Sequence, residues 1–303
     1  MSTPVFRGVF TALVTPFNED GSLDLQSYRR LIERQIEAGV HGLVPCGTTG
    51  EAATLRQEEH LMVVRTCVEQ AAGRVPVIAG ASANDTVQAV ALHREVAKTG
   101  VDAALHATPW YNKPTQEGLY RHYRAIAESA DLPIVLYNVP GRTGVDLLPA
   151  TIERLARECS SVVAVKEATG SVARAEEILR TVLPVRPDFA VLSGEDAFIL
   201  PLIAMGGHGV ISVISHLCAE DLVAMLDAFD KGDLASAQAR AHRIAPLVPA
   251  MFFRSNPIPV KSALAMRGEM QEIFRLPLCP LDDTERAELL NRVKSAGFAK
   301  TND

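Results

Sequence analysis

The chain is poor in the features that mark nucleic-acid, membrane or disulfide-rich proteins. Its 30 Lys and Arg are outnumbered by 36 Asp and Glu, giving a net charge of −6 over 303 residues. A mildly acidic chain lacks the basic patches that displace counterions from a polyanion or dock on an anionic lipid surface, so neither nucleic acid nor membrane is an expected partner. No apolar run reaches the roughly 18 residues of a membrane span. No leader is expected at the N-terminus, because Met1–Arg7 has no apolar core segment. Cys46, Cys67, Cys159, Cys218 and Cys279 are odd in number, scattered and without a CxxC pair, which suits reduced thiols in a cytoplasmic chain.

Several catalytic signatures are also missing. There is no HExxH, and Glu58-Glu59-His60 has the wrong order. The eight histidines show no ligand spacing, so no metal cofactor is expected. Neither GxxxxGK[ST] nor GxSxG occurs, and no GxGxxG follows the first apolar run. Gly206-Gly-His-Gly209 looks phosphate-like but precedes a strand pattern rather than a helix, and reads as a turn.

What is present is a rhythm. Continuous apolar runs at Val9–Val14, Gly42–Pro45, Val75–Ala79, Ala103–Ala107, Ile134–Asn138, Val162–Lys166, Ala190–Ser193 and Gly209–Val213 read as strands buried on both faces. Helical periodicity fills the gaps, as in Asp24–Ala38 with Leu25, Tyr28, Leu31, Ile32 and Ile36 on one stripe. Strand starts lie about 20–34 residues apart, the size of one βα unit. Eight units point to an α/β protein, a (β/α)8 TIM barrel, with a doubly wound open sheet as the alternative. After Phe229 only helical patterns remain, at Leu234–Val248, Ile258–Met266 and Asp283–Ala296. The expected organisation is a catalytic barrel over 1–229 and a C-terminal helical extension over 230–303.

In such a barrel the reactive groups sit where strands end, so polar residues that close apolar runs are the candidates. Lys166 closes Ser161-Val-Val-Ala-Val-Lys166. An amine held with little water tends to lose its proton, and a neutral amine can form a Schiff base with a carbonyl substrate. The alternative is a lysine snorkelling to the rim or paired with Glu167. Tyr137 closes Ile134-Val-Leu-Tyr137, one βα unit earlier. Its phenol can donate and accept in turn, or it is a core tyrosine with a satisfied hydroxyl. Gly47-Thr48-Thr49-Gly50-Glu51 after the second strand offers two hydroxyls and a run of backbone N–H groups to a carboxylate, or is an ordinary turn. Arg142 in Asn138-Val-Pro-Gly-Arg142-Thr-Gly144 offers a planar fork to a second carboxylate, unless it is simply solvated. The stiff aromatic loop Pro109-Trp110-Tyr111-Asn112-Lys113-Pro114 suits a subunit interface.

Together these pieces resemble the pyruvate-dependent class I aldolase family of dihydrodipicolinate synthase and N-acetylneuraminate lyase. The resemblance also covers Thr11–Phe17, Val165-Lys-Glu167, Gly206–Ser212 and Asn256-Pro-Ile-Pro-Val-Lys261, in order and at fitting intervals. It implies a (β/α)8 barrel with a C-terminal helical extension, assembled as a homotetramer that is a dimer of dimers. It implies that Lys166 forms the Schiff base with pyruvate and that Tyr137 is the general acid/base, with no other cofactor. Thr48 would link Tyr137 to Tyr111 from a neighbouring subunit in a proton relay. Thr49 would hold the pyruvate carboxylate, Arg142 would bind the incoming aldehyde's carboxylate, and Gly194 and Ile211 would line the pocket through their backbones. The Asn138–Gly144 loop, the second threonine of Gly47–Gly50 and Arg275-Leu-Pro-Leu278 look like the synthase branch. That branch condenses pyruvate with L-aspartate 4-semialdehyde to 4-hydroxy-tetrahydrodipicolinate, towards diaminopimelate and lysine.

Two departures stand out. Trp110 occupies a position where a second tyrosine is common. The positions matching the family's lysine-feedback site carry Gln57 and Gln88, where sensitive members use a histidine and a glutamate, while Ala53, His60 and Asn84 fit. Weak lysine inhibition is expected. The remaining alternatives are a relative acting on a keto-sugar acid or hydroxy keto acid, and a non-catalytic keto-acid sensor.

Overall fold

The structure, a computed structural model, describes residues 6–299. Met1–Val5, part of the segment read above as leaderless, and residues 300–303 of the C-terminal extension lie outside the described residues. Eight parallel strands alternate with helices and are followed by further helices, the (β/α)8 barrel with C-terminal helical extension that the strand rhythm predicts. The strands are β1 (Gly8–Ala12), β2 (Gly42–Val44), β3 (Ile78–Gly80), β4 (Ala103–Ala107), β5 (Ile134–Asn138), β6 (Val162–Glu167), β7 (Ala190–Ser193) and β8 (Gly209–Ser212). Each expected strand is present; β4, β5 and β7 have the expected bounds, and the ends of the others shift by at most three residues.

By contact density the chain divides into two compact units, one of Met1–Gly8 with Pro76–Ser212 and one of Val9–Val75 with Val213–Asp303. In the first unit β3 to β8 are neighbours in sequence order. A doubly wound sheet would reverse direction at a switch point, and no reversal occurs here. Ile134, Leu136, Val165 and Val191 pack on Leu119, Tyr123, Ile152, Leu155, Ile178 and Val182 from the covering helices. Because successive strand side chains alternate faces, Tyr137 follows Leu136 and Lys166 follows Val165 onto the opposite face, away from the helices. Gly206-Gly207-His208 is a turn between the helix Ile199–Ala204 and β8, as its sequence position suggests.

In the second unit β1 pairs with β2, with Phe10 opposite Gly42. A Cβ on Gly42 would sit 2.2 Å from the Phe10 ring, so only glycine fits. The helices here are Leu25–Glu37, Gln57–Ala71, Ser215–Asp230, Leu234–Ile244, Leu247–Phe252, Ile258–Met266 and Asp283–Ser295. The single helix expected over Leu234–Val248 is two, because Pro246 has no N–H to donate to the turn above, although Ala245 before it keeps helical angles. None of the five cysteines forms a disulfide, and of the five only Cys279 is exposed. Burial pushes the Cys67 thiol up to about 12, which keeps it protonated and inert.

Candidate active site

In the first unit, strand register does most of the work. Tyr137 and Lys166 are Cα partners on adjacent strands, and Asn138 and Glu167 are the next pair. Side chains so paired lie on one face and meet. The Lys166 Nζ stands 4.2 Å from the centre of the Tyr137 ring, and each residue is only 7% exposed. The sequence-level alternatives of a rim lysine and a Lys166–Glu167 pair do not hold. Glu167 lies on the other face, where its carboxylate accepts from the Thr169 N–H (2.7 Å) and Asn138 Nδ2 (3.1 Å). Burial still pushes the Glu167 carboxyl above its ordinary range.

Asn138 is a junction behind the site. It donates to Asp146 (2.8 Å) and Glu167 and accepts from the Leu147 N–H (2.9 Å). Arg174 grips the same Asp146 with two 2.9 Å bonds. This network fixes the end of β5 and the loop after it. That loop begins with a one-turn helix, Pro140–Thr143, which carries Arg142 to an exposed position. Thr143 is buried beneath it and accepts a 3.0 Å bond from Thr108 at the end of β4.

Gly194 and Ile211 stand at the ends of β7 and β8. A Cβ on Gly194 would sit 2.5 Å from the Ala168 Cβ, and the Gly194 N–H donates to the Glu167 carbonyl at 2.7 Å. Next to it is Glu195, which the sequence reading overlooks. Burial raises its carboxyl pKa, Asp196 raises it further, and the Lys166 and Arg142 cations pull it back. Its carboxylate therefore lies in the field of both candidate substrate-handling cations. Tyr111 differs in character from Tyr137. It is 89% exposed and holds a left-handed backbone at φ 76°, with its N–H on the Thr143 carbonyl (3.3 Å).

In the second unit the Gly47–Glu51 turn is tightly built. The N–H groups of Gly50 and Ala52 donate to the Gly47 carbonyl and that of Glu51 to the Thr48 carbonyl. These three N–H groups are consumed within the turn, so a backbone anion nest here would use the N–H groups of Thr48 and Thr49. The hydroxyls of exposed Thr48 and buried Thr49 stand beside those two N–H groups as further donors for a carboxylate. Thr15 donates to the Gly50 carbonyl at 2.7 Å, and a Cβ on Gly50 would crowd Cys46 and Leu13 at 3.1 Å. Glu51 adopts φ 54°, a left-handed conformation that a non-glycine residue holds only when its surroundings enforce it.

Those surroundings come from the C-terminal extension. Lys261 donates to Glu51 at 2.5 Å and to the Ile273 carbonyl at 2.7 Å, and neither side chain of the pair is exposed. Burial lowers the Lys261 pKa, opposed by the Glu51 charge. Asn256 Nδ2 donates to Thr49 Oγ1 at 2.9 Å. Arg275 grips Glu59 through two bonds and also reaches the carbonyls of Gly21 and Thr54. The Arg275 guanidinium holds the Glu59 carboxyl down at about 2. None of these clamps was assigned a role from sequence. The available signal was a lone lysine inside the apolar helix Ile258–Met266, since a buried cation requires a partner. Among the described residues no group of three or more His, Cys, Asp or Glu could hold a metal ion, and no helix is long and apolar enough to cross a membrane.

The sequence and the fold have counterparts among known proteins. Residues 5–296 match the model of the dihydrodipicolinate synthetase family. The 4-hydroxy-tetrahydrodipicolinate synthase of Maridesulfovibrio salexigens is 51% identical over 293 residues, covering 97% of this chain and 99% of the relative. The crystal structure of dihydrodipicolinate synthase from Thermotoga maritima superposes with a TM-score of 0.94 at 42% identity, over 97% of this chain and 99% of that one. The chloride-inhibited Acinetobacter baumannii enzyme, solved in complex with pyruvate, gives 0.92 at 43% identity, over 96% and 99%. With half the residues shared across almost the whole length and the same barrel beneath them, this chain belongs to the dihydrodipicolinate synthetase family.

Proposed function

We propose that this chain condenses pyruvate with L-aspartate 4-semialdehyde to give 4-hydroxy-tetrahydrodipicolinate, an early step towards diaminopimelate and lysine. The observation that carries the chemistry is the buried Lys166 amine 4.2 Å from the Tyr137 ring. The Lys166 amine, after giving up a proton, attacks the keto carbon of pyruvate and water leaves, forming an imine. Loss of a proton from the pyruvate methyl carbon gives an enamine, which stores the electron pair for the new bond. That carbon attacks the aldehyde, whose oxygen takes up a proton. The substrate's own amino group then adds to the imine carbon, closing the ring and releasing Lys166.

Tyr137 is assigned the proton transfers, because its hydroxyl group both donates and accepts. Thr48 and Tyr111 carry protons between Tyr137 and solvent. Tyr111 is 89% exposed in one chain, which suits the solvent end of the relay. Tyr111 reaches in from a neighbouring subunit, with Trp110 in the same contact, and the resemblance to the family implies that the assembly is a homotetramer built as a dimer of dimers. Thr49 holds the pyruvate carboxylate through its hydroxyl. Arg142 binds the carboxylate of the aldehyde and so selects an acidic aldehyde over a neutral sugar. Gly194 and Ile211 line the pocket with backbone. No cofactor takes part beyond the covalent pyruvate. Five cysteines outside any disulfide suit a reducing cytoplasm.

The test is a comparison of aldehydes. Pyruvate with aspartate semialdehyde should turn over with release of the cyclic product, and sugar aldehydes should not compete. Turnover only with sugar aldehydes would move the chain to another branch of the family, and no turnover with any pair would make it a keto-acid sensor.

A further inference from the structure

The contact between Asn256 and Thr49 sets the direction of a hydrogen bond. Thr49 is 3% exposed and Asn256 7%, so water does not compete freely for either. Asn256 Nδ2 is a pure donor, and it points at Thr49 Oγ1 from 2.9 Å. A hydroxyl that accepts from a fixed amide has one proton left to give. It must therefore donate elsewhere, which is what an anionic ligand requires and what a freely rotating hydroxyl does only part of the time.

We propose that Asn256 is a positioning residue that forces the Thr49 hydroxyl to act as a donor towards the carboxylate of the keto acid. The proposal rests on the reading of Thr49 as the carboxylate-binding group. It gives the C-terminal extension a part in substrate affinity. Asn256 is held where the chain enters the helix Ile258–Met266, and Lys261 of that helix ties Glu51, two residues past Thr49, at 2.5 Å. Both ends of the hydroxyl–amide bond are thus anchored by the same buried ion pair.

A double-mutant cycle on the full-length enzyme tests it. Thr49→Val should raise the pyruvate KM about tenfold or more, because it deletes a bond to a charged group. Asn256→Leu, close to asparagine in shape but unable to donate, should raise it about 3- to 10-fold in the parent. In the Thr49→Val background the same change should add less than about twofold, since the group it acts through is gone. The KM for the aldehyde should stay within about twofold throughout, which a general loss of structure would not allow. Asn256→Asp should be worse than Asn256→Leu, because a carboxylate would draw the hydroxyl proton to itself. If Asn256→Leu fails to fold, Asn256→Ala enters the same cycle. An Asn256 effect of equal size in both backgrounds, no effect in the parent, or an Asp variant better than the Leu variant overturns the proposal. An unchanged pyruvate KM in Thr49→Val instead overturns the underlying reading of Thr49, so the two failures are distinguishable.

Discussion

Replacing Lys261 by methionine isolates the ion pair that holds the Gly47–Glu51 turn. Both side chains are fully buried, and the amine also satisfies the Ile273 carbonyl. Methionine fills the space but leaves the Glu51 carboxylate with only the distant Arg275 N–H at 3.4 Å. Breaking a buried pair by removing one partner costs about 3–5 kcal/mol, chiefly the penalty of an uncompensated buried charge. Against a total stability of roughly 5–15 kcal/mol that is a large share. It should lower the thermal midpoint by on the order of 10 °C. The double variant Glu51→Gln with Lys261→Met removes both charges and should recover most of the loss, to within about 1–2 kcal/mol of the parent. Urea unfolding monitored by circular dichroism, with the slope checked for constancy, reads both effects. A Lys261→Met variant within about 1 kcal/mol of the parent, or a double variant no better than the single, would refute the claim that the buried charges hold each other.

Four further outcomes follow from the geometry. Arg142→Ala should raise the KM for aspartate semialdehyde by about 10-fold or more with the pyruvate KM nearly unchanged; equal effects on both would remove Arg142 from the aldehyde's recognition. Tyr111→Phe should lower kcat more than it weakens pyruvate binding, and an unchanged turnover number would take it out of the relay. Burial lowers the pKa of His93 and of His122 to about 4 from 6.5. The unfolded chain therefore binds protons that the folded chain refuses, and stability should fall as pH drops from about 6.5 to about 4, by up to ~1.4 kcal/mol per pH unit for each histidine; His122→Asn should flatten that slope in urea midpoints, and an identical slope would contradict it. Lysine should inhibit weakly, because the glutamines at Gln57 and Gln88 cannot pair with an ammonium as strongly as a charged group; half-inhibition at submillimolar lysine would refute this.

The strands and most helices were legible because burial on both faces leaves continuous apolar runs, and helix stripes repeat at 3.6 residues. Lys166 and Tyr137 were legible for the same reason, as polar residues closing runs that otherwise repel them. Adjacent strands were expected to bring them near each other; their direct pairing was not legible, since it depends on the β5–β6 register, which includes an irregularity at Ile134 and Val135. Which N–H groups of Gly47–Glu51 the turn spends on itself was not legible, because that depends on the fold of the turn: Gly50, Glu51 and Ala52 donate internally. The clamps from Asn256, Lys261 and Arg275 span more than 200 residues of sequence, and no local pattern encodes such a partner. Leu234–Val248 was split by Pro246, where continuing periodicity outweighed the proline signal in the reading.

The central claim is that the Lys166 amine bonds covalently to pyruvate. Sodium borohydride added to enzyme and pyruvate together should reduce the imine and fix the adduct permanently. Mass spectrometry of the digest should then find one reduced pyruvate, less a water, on the peptide carrying Lys166, and no adduct without pyruvate or in Lys166→Ala. An unmodified Lys166 peptide, or an adduct on another lysine, would contradict the account.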